Sequence, residues 1–447
     1  MARRDVRMVL KASVLAAVRA WLRFSSGHSA MRAGKLTALE ALDWAEHVRP
    51  GDLVVWAQAS AEPTTLTSSL VAARHTIGSF RVFAGISYGE SVSPDFTDSI
   101  SYTSYCGTGE NRRLGGALDI LPIHYSQLPN ALAGIANGNL VLLLSLAPGS
   151  GPDHFSYGVG GDYAADLITR ARTVIAEVSS NGPRTGAGMD VKRSDMDVIV
   201  ETDSLPPAPT ESEVGPVELQ IADHVAGLIR NGSVLQIGLG TLPAAILKSL
   251  RHLQDLGLHS GLLTKEVAEL CEAGVITNSQ KTIDRGYSVT GLLSGDADLM
   301  KWADQNPAIR IRPSSYTHAP HILRQIDNFV ALNSAIEVDL TGQVNAELAG
   351  GRYVGAVGGA GNFLRGAAES RNGMGIIALP STSRGKSRIV QTLSGPVTTP
   401  RSDVCFVVTE YGIADLRNAT LHQRRERLLA IAAPNYQGFL TSGRHTY

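Results

Sequence analysis

Three segments of this chain combine residue types suited to an anionic ligand. In the first, Val234-Leu235-Gln236-Ile237-Gly238-Leu239-Gly240-Thr241-Leu242-Pro243 leads into an apolar stretch over 244–250. A strand that passes through a glycine turn into a helix exposes backbone N–H groups at the helix N-terminus, where phosphate, carboxylate or a developing oxyanion is stabilised. Pro243 stands where the dinucleotide fingerprint needs its third glycine, which argues against a nicotinamide oxidoreductase. In the second, glycines at 350, 351, 355, 358, 359 and 361 precede a helical stretch over 364–370. Such density signals close approach of backbone to a ligand. In the third, Ser381-Thr382-Ser383-Arg384-Gly385-Lys386-Ser387-Arg388 supplies hydroxyls and three cations, Lys386 among them, for phosphate groups.

Apolar runs of strand length precede these loops. A helix is predicted over 38–48, a turn at Pro50-Gly51-Asp52 and a buried strand over 53–56, with further strands over 81–86, 119–123 and 140–146. The order repeats as a helix over 217–229, an Asn231-Gly232 turn and a strand over 233–237, followed by strands over 334–340 and 375–379. Continuous apolar strands separated by helices predict an α/β protein with parallel sheets, and ligands then sit at the carboxyl ends of the strands. Three prolines at 206, 207 and 209 lie in a stretch without apolar period, so 204–216 reads as a linker between domains at 31–203 and 217–447. At 447 residues, each domain is long enough to bury its own core.

Forty basic and 41 acidic side chains leave a formal charge of -1, so no field for nucleic acid or an anionic membrane is expected. Cys106, Cys271 and Cys405 are far apart, which predicts free thiols in a reducing, cytoplasmic setting. The twelve histidines form no ligand pattern; His252 with His259, and His318 with His321, are read as surface or core residues, and no metal is expected. Residues 1–30 carry Arg3, Arg4, Arg7, Lys11, Arg19 and Arg23 against Asp5, with an apolar face at helical spacing. They are too interrupted by charge for a membrane span; an upstream start ahead of Met31 is the preferred reading, and a mitochondrial transit peptide the other.

From Leu235 to Pro434 the chain resembles the acetyl-CoA hydrolase/CoA-transferase family almost continuously. The resemblance is carried by Leu235 to Gly240, Glu272-Ala273-Gly274-Val275-Ile276-Thr277-Asn278, Lys281-Thr282, the run from Asn333 to Asn345, Val357-Gly358-Gly359, Thr399-Pro400-Arg401-Ser402-Asp403 and Val408 to Gly412. The first half is similar but looser, at Ala61-Glu62-Pro63, the segment from His124 to Pro129, and the segment from Asn181 to Thr185. Ala57, Ala59 and Ala61 stand where glycines are usual, Ser179 where asparagine is usual, and Asn362 where aspartate is common.

This resemblance implies two similar open α/β domains of CoA-transferase type with an active-site cleft between them. It further implies a coenzyme A thioester and a small carboxylic acid as substrates, no tightly bound cofactor, and a homodimer. Gly238, Gly240, Gly358, Gly359 and Lys386 are the implied CoA-binding and oxyanion residues. In the transferases a glutamate forms an acyl anhydride and then a glutamyl-CoA thioester. Its place here, in Leu256-Gly257-Leu258-His259-Ser260-Gly261-Leu262-Leu263, is taken by Gly261. The expectation is therefore acyl-CoA transfer or hydrolysis by a route that avoids position 261, or binding of the thioester without turnover. Glu62 is the weak candidate for a substitute carboxylate; Glu266 and Glu269 are too far along the next helix, and His259 with Ser260 should point in opposite directions.

Overall fold

The computed structural model describes residues 32–185, 189–210 and 213–442. The basic segment 1–30 lies outside them. The first half builds a ten-stranded sheet whose main path runs Lys35–Leu36, Val198–Thr202, Thr173–Ser179, Leu140–Gly151, Leu53–Trp56, Phe80–Phe83, Ile100–Ser104, Leu118–Ile120. Every pairing along that path is parallel. Leu53–Trp56 is buried at all four positions, as a strand covered on both faces must be.

The second half builds a six-stranded sheet in the order Gly257–Leu258, Val234–Gln236, Phe329–Ser334, Met374–Ala378, Phe406–Thr409, Gly412–Asp415. Only the last pairing is antiparallel. Helices Pro216–Ala226 and Thr241–Ser249 flank the strand Val234–Gln236 in the chain, and Ala360–Glu369 precedes Met374–Ala378.

Two predicted elements differ. In place of one helix over 38–48 there is a 3-10 turn at Leu39–Ala41 and a short helix at Trp44–His47, because Asp43 caps the second helix by accepting from the Ala45 N–H at 3.0 Å. The strand expected over 334–340 is divided: the sheet strand begins earlier, at Phe329, and ends at Ser334, while Glu337–Asp339 joins a separate small sheet. The Asp339 carboxylate there accepts from Thr341 and Gln343 and turns the chain.

The expectation of separate cores also needs correction. One apolar cluster belongs to the first half and one to the second, but a third runs across the seam, joining Leu142 and Tyr163 to Leu258 and Leu293. Backbone pairs cross the same seam: Leu293 N–H to Val159 O (2.8 Å), Gly107 N–H to Gly355 O (3.0 Å) and Tyr125 N–H to Gly358 O (3.0 Å).

Candidate active site

The strand Val234–Gln236 ends in the Gly238–Gly240 turn, where Gly240 takes φ +117°, a conformation only glycine adopts without strain. Its neighbour Gly257–Leu258 delivers His259, Ser260 and Gly261 beside that turn. The Ser260 hydroxyl donates to Ile237 O at 3.0 Å and ties the two strand ends together. His259 instead turns its Nε2 to the Thr317 carbonyl at 3.2 Å, and burial, reinforced by the Lys281 ammonium, pushes its pKa down to about 3. The two side chains therefore serve different partners and form no dyad.

Gly261 lies against a histidine. A Cβ built at Gly261 would come within 2.9 Å of His318 Cε1 and 3.0 Å of His318 Nε2. The same imidazole lies over the second glycine loop, since a Cβ at Gly359 would meet His318 Cδ2 at 2.7 Å and Nε2 at 2.8 Å. His318 follows the short helix Ser314–Thr317, and its Nδ1 pairs with the Thr317 hydroxyl at 2.8 Å. Its ring is flanked by Tyr125 and Phe363, with centroids 4.6 and 4.5 Å away. Burial pushes the His318 pKa down to about 3 and keeps the ring neutral.

Behind Tyr125 is a buried polar network contributed by the first half. The Tyr125 hydroxyl donates to Asp162 Oδ2 at 2.5 Å, and Gln58 Nε2 donates to the same oxygen at 2.9 Å. Tyr105 donates to Gln58 Oε1 at 2.7 Å. Burial lifts the Asp162 carboxyl to about 7 against the opposing effect of these donors. Asp162 also sits at φ +43° and donates its N–H to Gly291 O across the seam at 3.3 Å. A non-glycine residue held there marks a conformation imposed by its surroundings.

Gly358 takes φ +52°, and Gly359 immediately precedes the helix Ala360–Glu369. Asn362, on that helix, donates from Nδ2 to Ser126 Oγ at 2.8 Å and accepts from the Ser126 N–H at 3.4 Å. The glycine loop is thus held from the first half on both sides. Gly261 and Gly359 meet at His318, Gly358 is held by the Tyr125 N–H, and Gly238 follows Ile237, whose carbonyl the Ser260 hydroxyl holds. Lys386 is apart from them, exposed on the hairpin formed by Thr382–Ser383 and Lys386–Ser387 beyond the carboxyl end of Met374–Ala378.

Glu62 is buried, with its carboxylate turned to a loop of the first half. One carboxylate oxygen accepts from Ser87 Oγ and the N–H groups of Tyr88 and Gly89, and the other from Ser91 Oγ at 2.5 Å. Both oxygens are spent on ordering the 87–91 loop, which leaves Glu62 poorly placed to orient water. Glu266 accepts from Thr264, and Glu269 pairs with Arg251 on the surface. A cavity of about 620 Å³ opens elsewhere, between Pro148, Pro183, Leu205, Pro206, Met300 and Asp304, and no residue around His318 lines it. Among the described residues no group of three or more His, Cys, Asp or Glu side chains could hold a metal ion, and no helix is long and apolar enough to cross a membrane. All three cysteines are free.

His318, Tyr125, Asp162 and Gln58 were not legible as site residues in the sequence. They come from four separate segments, Tyr125 and Asp162 at the starts of short helices and Gln58 and His318 flanking others, and no spacing rule links them. The sole sequence signal is indirect: the resemblance places Gly261 where a carboxylate is expected, and a glycine there leaves volume for another side chain to fill.

A family model described as the acetyl-CoA hydrolase/transferase C-terminal domain matches residues 295–443. Over 397 residues the chain is 34% identical to the 4-hydroxybutyrate coenzyme A transferase of Clostridium kluyveri, a match that covers 86% of this chain and 91% of that one. The crystal structure of RipA from Yersinia pestis superposes with a TM-score of 0.85 at 31% identity, covering 92% of this chain and 97% of that one. That of a 4-hydroxybutyrate CoA-transferase from Porphyromonas gingivalis superposes with a TM-score of 0.77 at 30% identity, covering 91% and 96%.

Proposed function

The chain belongs to the acetyl-CoA hydrolase/transferase family, and on that premise we propose that it consumes acyl-CoA thioesters in the cleft where its two halves meet. The observation that carries this reading is the convergence of Gly261 and Gly359 on one imidazole, beside the carboxyl end of the parallel strand Gly257–Leu258. Backbone N–H groups of such glycine loops can hold a tetrahedral oxyanion without a side chain in the way. Gly238 and Gly240 at the helix N-terminus, with Lys386 on its exposed hairpin, suit the phosphates of coenzyme A.

In this reading residues 31–203 and 217–447 act as the two walls of the cleft, joined through 204–216. Either the CoA passes from the thioester to a small carboxylic acid, releasing the original acyl group as a carboxylate, or water takes the acyl group and free CoA leaves. Glu62 orders a loop and is assigned no chemical role. A cytoplasmic homodimer completes the proposal, and sedimentation of the purified chain tests the dimer.

The test of function is mass spectrometry and thiol release with acetyl-, propionyl- and butyryl-CoA, with and without a carboxylic acid. Release of CoA, or acyl exchange that depends on the acid, is expected. Saturable binding with the thioester left intact would overturn the reading in favour of a CoA-thioester-binding protein, the alternative that Gly261 favours.

A further inference from the structure

Resting on the acyl-CoA reading above, we propose that the His318 imidazole takes the role of the absent carboxylate by activating water, so that the chain is a thioester hydrolase with no covalent enzyme–CoA intermediate. The position is the first argument. His318 Nε2 lies 3.0 Å from where a Cβ at 261 would start and 2.8 Å from where one at 359 would, so it sits between the vacated nucleophile position and the candidate oxyanion loop.

The second argument is the tautomer. We assign the single Thr317 hydroxyl proton to Pro313 O, 3.3 Å away at the i−4 position of the turn, so that the hydroxyl accepts the Nδ1–H of His318 at 2.8 Å. Nε2 then carries the lone pair, and no hydrogen-bond partner meets it among the described residues. Burial keeps the resting ring neutral and also disfavours the imidazolium, so the base must gain strength from the charge that develops in the occupied site. An imidazolium forming in the reaction is received by the π faces of Tyr125 and Phe363, the former made more electron-rich by its hydroxyl proton leaning on Asp162.

The third argument selects the reaction. A base helps only a nucleophile that has a proton to lose; water has one, and a carboxylate acceptor has none. Nε2 takes a proton from water as its oxygen bonds to the thioester carbonyl carbon, and the carbonyl electron pair moves onto oxygen beside Gly358 and Gly359. Collapse re-forms the carbonyl and breaks the C–S bond, and the imidazolium returns its proton to the departing thiolate. A carboxylic acid and CoA leave, and the ring is neutral again.

Full-length wild type, His318→Gln and His318→Ala would be compared with acetyl- and butyryl-CoA in ¹⁸O-labelled water, with thioester binding followed by calorimetry. Wild type should release CoA without an acceptor and place one ¹⁸O in the acid, with kcat falling about 100-fold or more in both variants while binding changes little. Imidazole should restore part of the His318→Ala rate, whereas pyrrole, which fills the same space without a basic lone pair, should not. A solvent deuterium effect of roughly twofold on wild-type kcat needs no variant and is expected of general-base catalysis. A His318→Ala rate near wild type, equal rescue by pyrrole, no isotope effect, or transfer to a carboxylate outrunning hydrolysis would each sink the histidine assignment alone. Wild type that leaves every thioester intact would sink the acyl-CoA reading with it.

Discussion

A Cβ at position 261 would approach His318 Cε1 to 2.9 Å, closer than real Cβ contacts, and this sets what restoring a carboxylate demands. Gly261→Glu alone should lose about 1–3 kcal/mol of stability from overpacking and form no borohydride-sensitive glutamyl-CoA adduct. Gly261→Glu combined with His318→Ala, which opens the room, should give the adduct by mass spectrometry. Asp162 offers a second test at this scale. Its carboxyl is raised from 3.8 to about 7 by burial, so the stability it contributes is fully present below about pH 4 and is lost as pH rises through 7. Asp162→Asn should therefore gain on wild type between pH 5 and pH 8 by about 3 kcal/mol in urea melts, two units of titration at 1.36 kcal/mol each. The glycines of the site were readable one by one, since each stands in a turn after an apolar run. The imidazole that gathers them was not, because His318 reaches Gly261 only through tertiary packing.

Elements were legible where the apolar run is nearly unbroken. Leu53–Trp56, the first five residues of Leu140–Gly151 and Met374–Ala378 appear in the sequence as apolar runs because parallel strands face helices or loops on both sides, whereas Thr173–Ser179, buried throughout but interrupted by Thr173, Glu177 and Ser179, was missed. The stretch 38–48 has helical composition, but Asp43 caps a new start inside it, and local capping overrides periodicity. The turn after Leu53–Trp56 carries a different lesson. Ala59 stands where glycine is usual in the resemblance, and the structure gives it φ +53° all the same, with its N–H held by Ile86 O. The substitution kept the turn and accepted strain. Ala59→Gly should raise stability by about 0.5–1 kcal/mol, relief of left-handed strain less the added freedom of the unfolded chain, as measured by denaturant midpoint.

At the scale of the molecule, the site exists because one half arranges residues of the other. Asp166 of the first half accepts from Ser314 Oγ at 2.9 Å, the Ser315 N–H at 2.9 Å and Ser315 Oγ at 2.5 Å, and so caps the short helix that ends just before His318. Asp166→Ala should cost about 1–2 kcal/mol and lower kcat more than it weakens thioester binding, since it loosens the base rather than the CoA loops. Beside the apolar cluster and the side-chain pairs that cross it, the seam also carries main-chain bonds: Val159 with Leu293, Gly107 with Gly355, Tyr125 with Gly358, and Arg184 O accepting from Gln305 N–H at 2.8 Å. That main-chain part of the join is nearly blind to which side chains the partners carry. Mutational drift can then recolour the walls of the cleft while the two sheets stay in the same relation. That is how a chain sharing about a third of its residues with its relatives can keep their architecture and still be free to change the reaction.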